Sequence, residues 1–438
     1  MTKPARQTAR DSSEPGDRTI ATSGEMFTDG SLIELVASAD NGKPALLFWN
    51  GKRVRIAPQI DHLRQVYRPL ELKVSIRQAM RFPSAARPYA SPKALFKGIA
   101  NLFERYIGLS APEAAMATAW TATTWFSDCL SSPPTLVVSG PDMSHAIIFF
   151  RLLRCLSRRG LLLAELSRSS LLSLPMALRP TLMVNQPYLS RTIISLLRAS
   201  NYRGLFVPGN RGTVLDISSS KAVYWGTEGE ADFWEDTALH LALPPARSNL
   251  PPLGVREEDE VANLFQAQML MYRCCTFPQV REPRFAASRP SFPNGEMARS
   301  LAACLQGDPD FAQTVIPLLQ RQEQDALARR SCDVNSAVVE VIWAQSHQAK
   351  EIAVSQITEL TNALVRCRGE TLVYSGQEIG WKLKNLGFYR HRNGGGMVLR
   401  FSRETRLLVH QLARHYGLTF CAIDGCRDCA PPQVPATQ

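Results

Sequence analysis

The residues with the most chemical content lie between a β-branched apolar run and a helical run, in the segment Ser139-Gly140-Pro141-Asp142-Met143-Ser144-His145-Ala146-Ile147. A loop entering a helix in this way is where backbone amides can hold phosphate. A working phosphate loop needs two glycines to wrap the ligand, a Lys on the β and γ phosphates, and a Ser or Thr hydroxyl on magnesium. On the pattern G-x-x-x-x-G-K-[ST], Gly140 takes the first glycine, His145 the second, Ala146 the lysine and Ile147 the hydroxyl. Only Gly140 meets its requirement. His145 fills space that phosphate needs, Ala146 brings no charge, and Ile147 gives magnesium no oxygen. Downstream, Arg-Pro-Thr-Leu-Met-Val ends in Asn185-Gln186, neutral amides where an acidic pair would bind metal and polarise water. An unrelated α/β fold with a Gly-Pro turn at this point is the competing reading. Asp142 beside His145 suggests acid–base work, but no third group completes it.

A second group of residues is basic. Between Arg366 and Arg414 ten Lys or Arg stand against three Glu, most of the surplus behind the net charge of +11. Gln377, Trp381, Lys382 and Lys384 fall on the polar side of a helical pattern, and Arg390, Arg392 and Arg400 lie on two β-rich arms around Asn393-Gly394-Gly395-Gly396. Such residues suit contact with a groove or with phosphates. The competing reading is a solvated face on a protein-contact module. Near the end, Cys421, Cys426, Cys429 and His415 offer zinc four ligands, against a reading as free tail cysteines.

These groups need elements to position them. With 438 residues, 45% hydrophobic and 20% charged, the chain reads as a multidomain globular protein. Its apolar runs are shorter than the roughly 20 residues of a membrane helix, so no membrane partner is expected. Residues 1–25 read as a disordered tail without a secretory signal. Ten irregularly spaced Cys fit a reducing cytoplasm. Residues 26–90 read as a small β-rich module and connector, with a meander over about 30–58. Over 91–253 short apolar strands alternate with helices, the pattern of a three-layer, mostly parallel α/β domain. Gly160 closes the helix after the loop, and the Pro-rich stretch from Leu243 to Gly254 is a linker. Residues 254–347 are expected to be helical, with a Pro-rich interruption near 278–294. Two helices capped by Ser355 and Ser375, a hairpin and a last helix, its apolar face formed by Leu407, Leu408, Leu412 and Tyr416, occupy 348–418 and resemble a winged-helix domain. A Cys-containing tail, 419–438, follows.

The order of segments over 91–247 resembles the P-loop (AAA+/RecA-like) ATPase domain of bacterial primase-helicases carried by phages and mobile elements. The segments are LFERYIGLS, AWTATTWFSD, the loop strand, RPTLMVNQP, LLRASNYRG, and KAVYWG followed by FWEDTALHLAL. In relatives the last segment commonly contains Asp-Arg, whereas Asp236 here precedes Thr237. The resemblance implies the fold, and a homo-oligomer or a replication-type protein partner. Without the Lys, the acidic pair and the Arg, no ATP or magnesium is expected as cofactor. The resulting expectation is a catalytically inactive, helicase-like DNA-binding protein acting through its winged helix. An active NTPase with a noncanonical loop and a protein-interaction scaffold are the alternatives.

Overall fold

The computed structural model describes residues 18–209, 213–225, 238–281 and 295–418. The chain divides into two compact units, Met1–Gln320 and Arg321–Gln438.

The first unit begins with seven short strands: β1 (Arg18–Thr22), β2 (Gly24–Met26), β3 (Leu32–Ala37), β4 (Pro44–Trp49), β5 (Val54–Ala57), β6 (Ile60–His62) and β7 (Gln65–Pro69). Strands β2 to β5 form an antiparallel sheet in sequence order, and β1 pairs with β7 in parallel. Part of the expected tail, 18–25, is therefore strand. Its Thr-Ile-Ala-Thr run gains ladder partners over 65–69 that no local pattern announces.

After α1 (Val74–Ala79) come α2 (Pro92–Ile107) and α3 (Ala111–Thr124). Ser91 caps α2 by accepting from the Ala94 amide at 3.1 Å, and Gly108, at φ +74°, ends it in the left-handed conformation. Nearly all of α3 is buried, and the Trp120 and Trp125 indoles donate to the Pro134 and Leu156 carbonyls at 2.9 Å each. Both satisfy a polar group that burial would otherwise leave costly.

The centre is β8 (Thr135–Ser139), α4 (Met143–Leu156), β9 (Gly160–Leu163), α5 (Arg168–Ser173), β10 (Thr181–Val184), α6 (Arg191–Ala199), the hairpin β11 (Phe206–Pro208) and β12 (Val214–Asp216), β13 (Lys221–Tyr224) and β14 (Ala238–Ala242). Strands pair all in parallel in the order β14-β8-β13-β10-β9. The chain is thus a mixed α/β protein with a buried parallel sheet. The carboxyl ends of β8, β13 and β10 share one edge, where ligands of such sheets bind.

Two sequence expectations fail locally here. Gly160 does not close α4: Ser157 does, and Gly160 is the first residue of β9. A Cβ at 160 would lie 3.0 Å from the Arg154 Cα, so glycine is required for close approach, while Arg159 makes the turn at φ +53°. Nor is Leu243–Gly254 a joint between domains. Leu243 and Leu253 are buried in the core, and Arg151 Nη2 donates to the Leu253 carbonyl at 3.0 Å. Helices α7 (Val255–Arg281), α8 (Gly295–Cys304) and α9 (Pro309–Cys332) follow, α9 passing from the first unit into the second.

The rest of the second unit is α10 (Val334–Gln348), β15 (Glu351–Ala353), α11 (Val354–Cys367), α12 (Gly376–Asn385), β16 (Arg390–Asn393), β17 (Gly396–Arg400) and α13 (Arg403–His415). Strand β17 lies between β15 and β16, antiparallel to both. Ile357, Ile379, Leu383, Leu399 and Val409 are fully buried in its core. Ala353, not Ser355, is the N-cap of α11, because β15 runs straight into the helix. Along α13, Val409, His410, Ala413 and Tyr416 are buried and Leu408 and Leu412 pack against the same core, as expected, while Leu407 is 42% exposed. No helix among the described residues is long and apolar enough to cross a membrane.

Candidate functional site

At the carboxyl edge of β8 the connection to α4 is three residues, Gly140, Pro141 and Asp142. Helix α4 therefore starts earlier than an arch around phosphates would allow, since Met143 and Ser144, which a phosphate loop spends on that arch, are already helical. Asp142 is the N-cap, and its Oδ1 accepts from the Ser144 and His145 amides at 2.8 and 3.3 Å. The seat a phosphate would take is filled by the chain's own carboxylate, which also repels an anion.

The other loop residues point to the same structural use. His145 is buried, with Nε2 3.0 Å from the Ile107 carbonyl at the end of α2. Ala146 is fully buried in the core and Ile147 is exposed on α4. A Cβ at Gly140 would lie 3.1 Å from the Leu243 Cβ, and the Gly140 carbonyl accepts from Tyr224 Oη at 2.8 Å. The smallness of Gly140 here serves packing against the end of β14.

Asn185 and Gln186 lie at the same edge, one strand away from the loop, because β13 separates β8 from β10. Gln186 Oε1 accepts from the Leu166 amide at 2.8 Å and its Nε2 donates to the Tyr188 carbonyl at 3.0 Å. That pair of bonds needs one acceptor and one donor, which an amide supplies and an ionised carboxylate cannot. Gln186 thus braces two loops. The Asn185 amide donates to the Leu163 carbonyl at 2.9 Å, extending the β9–β10 ladder. Thr237 lies outside the described residues.

The basic group falls on α12 and β16. Ser375 and Glu378 form a reciprocal cap that fixes the start of α12: the Glu378 amide donates to Ser375 Oγ at 3.3 Å and the Ser375 amide donates to Glu378 Oε2 at 2.7 Å. The cap's bonds to the carboxylate hold Glu378 ionised below the usual glutamate range. Ile379 and Leu383 point into the core, which turns Gln377, Trp381 and Lys384, at positions i, i+4 and i+7, outward as one stripe.

Trp381 is 58% exposed, with Lys384 Nζ 5.7 Å from its ring centre; Lys382 Nζ lies 5.5 Å from that of Tyr374. These cation–π contacts hold both lysines without neutralising them. Arg390 folds back onto α12, where a side chain at buried Gly380 would collide with its Nη1. Arg392 is exposed on the same strand. Arg400 differs: it pairs with Glu351 at 3.4 Å, its neighbour across β15 and β17, so its charge is spent within the sheet.

Two participants escaped sequence reasoning. Tyr389 is 85% exposed directly before β16, and the alternation of buried Phe388 with exposed Tyr389 was the available signal. The capping role of Asp142 was legible as an Asp immediately preceding a helical apolar run. His415, the last residue of α13, is exposed with its ring 5.1 Å from that of Tyr416, while Cys421, Cys426 and Cys429 lie outside the described residues.

No protein-family model and no curated protein matches the chain. Solved structures with similarity include the apo C-terminal region of NrS-1, at 9% identity over 84% of this chain and 95% of that one, TM-score 0.35. A full-length MCM homologue from Methanopyrus kandleri shows 13% identity over 67% of this chain and 76% of that one, TM-score 0.36. Drosophila ORC bound to DNA shows 14% identity over 82% and 96%, TM-score 0.19.

Proposed function

We propose that this chain binds DNA through its second unit, a winged-helix domain in which α12 is the recognition helix and β16–β17 the wing, and that its α/β unit is a scaffold that does not hydrolyse ATP. The observation that carries the DNA reading is the exposed stripe Gln377, Trp381 and Lys384 on α12, with Lys382 beside it, Arg390 of β16 folded back onto the helix and Arg392 exposed two residues on. Among the described residues none of its four cations Lys382, Lys384, Arg390 and Arg392 has a carboxylate partner within ion-pair distance. Unneutralised cations on a surface release counterions when they meet phosphates, and exposed aromatic rings add contact area to sugars and bases.

The reading of the α/β unit as a scaffold is supported by Asp142 on the α4 amides and by Gln186 in its brace. It argues against the active-NTPase alternative, whose substrate would have to displace a bonded carboxylate of its own charge sign. Fluorescence anisotropy of labelled duplex and forked DNA, across a salt series with and without ATP and magnesium, tests both halves. Binding that weakens with salt and ignores ATP is the expected result. Removing the charges of Lys382, Lys384, Arg390 and Arg392 together should weaken it and lower the log–log salt slope by roughly 0.9 for each phosphate no longer neutralised. Unchanged affinity in that variant would sink the DNA reading, and ATP-dependent binding would sink the scaffold reading. The exposed Leu372 and Val373, 63% and 65%, just before α12, favour a protein partner for the same unit if no DNA binds.

A further inference from the structure

The first unit contains a second concentration of arginines, buried and remote in sequence from the loop after β8. Glu34, on β3, accepts from Arg158 Nε at 2.9 Å and Nη2 at 2.8 Å, from Arg159 Nη2 at 2.6 Å, and lies 3.3 Å from Arg273 Nε. Asp128, just after α3, accepts from Arg273 Nη1 and Nη2 at 2.8 and 2.6 Å, with Arg158 Nη2 at 3.1 Å. All five side chains are 10% exposed or less. Burial alone would push both carboxylates up, but the guanidiniums more than offset it and hold Glu34 below, and Asp128 well below, the usual carboxylate range.

This network forms one wall of a cavity of about 390 Å³ bounded by the β1–β2 turn, Asp128, Arg158, Arg159, Arg179 and Arg203. Arg179 and Arg203 make no ion pair or side-chain hydrogen bond among the described residues. Both line the cavity, and burial first, then the neighbouring Arg179 charge, depress the pKa of Arg203 against the opposing pull of Asp128 and Asp216. Arg158 is 3% exposed, and its Nη1, shut off from solvent and cavity alike, has no acceptor among the described residues. Both Arg159 and Arg179 hold left-handed backbone conformations, φ +53° and +48°, that non-glycine residues seldom adopt. With Glu25 and Asp216, whose charge also acts on Arg203, counted, five arginines stand against four carboxylates at this place, a net positive surplus.

We propose that this cavity binds a phosphate dianion, either free or as a terminal phosphomonoester. A planar carboxylate is satisfied by a single guanidinium fork, whereas a tetrahedral phosphate uses donors from several residues and suits a site with more guanidiniums than carboxylates. Arg179 and Arg203, which line the cavity without ion pairs, supply the donors, and the buried Arg158 and Arg159 behind them add positive charge. The cavity does not involve the α12 surface, so it stands or falls independently of DNA binding there.

The test is calorimetric and thermal-shift titration of the full chain with inorganic phosphate, ionic strength balanced by chloride. The comparison variants are Arg179→Gln/Arg203→Gln, which spare the buried network, and Lys52→Gln, exposed on the β4–β5 turn and outside the cavity lining, as a control. The expected result is saturable binding that raises the melting midpoint, weakened about 10-fold or more in the double variant and unchanged in the control. The double variant's own melting midpoint without phosphate should match the wild type, which separates impaired binding from impaired folding. Absence of saturable binding, or equal affinity in the wild type and the double variant, overturns the proposal. Competition by a 5′-phosphorylated single strand but not by its 5′-hydroxyl counterpart assigns the phosphate to a nucleic-acid end. Competition by neither assigns it to a small molecule.

Discussion

Single residues in this chain have been put to structural use at the positions where sequence patterns promise chemistry. Asp142 is the clearest case, since its carboxylate satisfies the two α4 amides that a phosphate would need. Asp142→Ala should cost about 1 kcal/mol of stability, as cap removals do, and should yield no ATP-dependent phosphate release. Denaturant unfolding and a phosphate assay check the two parts. Lys221 provides a pH prediction. It is fully buried at the start of β13, bonded to the Asn201 side chain and, at 3.0 Å, to the Ser219 carbonyl, with burial pulling its pKa down to about 7 from 10.5. Between those values the unfolded chain binds a proton that the folded chain does not, so this group makes stability rise with pH, and the penalty is complete below pH 7. From pH 7 to 8.5 the wild type should gain up to about 2 kcal/mol relative to Lys221→Met, measured by unfolding at each pH. A flat difference would mean that Lys221 is charged inside the fold.

At the level of elements, α12 shows how local rules build a surface. Its reciprocal cap sets the first residue, its apolar i, i+4 pair sets the rotation, and the outward stripe follows from both. Ser375→Ala should fray the first turn at a cost of about 1 kcal/mol and weaken DNA binding at Gln377 more than at Lys384. Gly380 sets the position of Arg390 against this helix. Gly380→Ala would push aside only the end of a flexible side chain, so the expected result is near-normal melting with reduced DNA affinity, read by thermal shift and anisotropy. If affinity is untouched, Arg390 does not touch DNA. The helical and strand character of most of these elements was legible, as was Ser375 as a cap. The apolar face of α13 was legible in Leu408, Leu412 and Tyr416, whereas the N-cap of α11 and the burial of His410 were not, because they depend on β15 and on α10, which leave no local mark.

The whole molecule consists of two compact units, so its unfolding should not be a single two-state event. Leu383→Ala, in the core of the second unit, should cost about 2–5 kcal/mol and shift one of two calorimetric transitions while leaving the other in place. One shared transition moving as a whole would show the units to be coupled. The sequence by itself determined the class of each segment: a β-rich start, alternating strands and helices, a helical stretch, and a basic helix–helix–hairpin end. It also determined that Ala146 and Ile147 cannot serve phosphate chemistry, since side-chain type alone decides whether a charge or an oxygen is present. Tertiary structure decided the rest. The strand order, the pairing of residues 18–22 with 65–69, the burial of the Pro-rich stretch before α7, and the assembly of Glu34, Asp128, Arg158, Arg159 and Arg273 all join residues tens to hundreds of positions apart. Periodicity and capping report only what a residue meets within a few positions of itself, whereas a buried charge is tolerated only where distant partners converge on it.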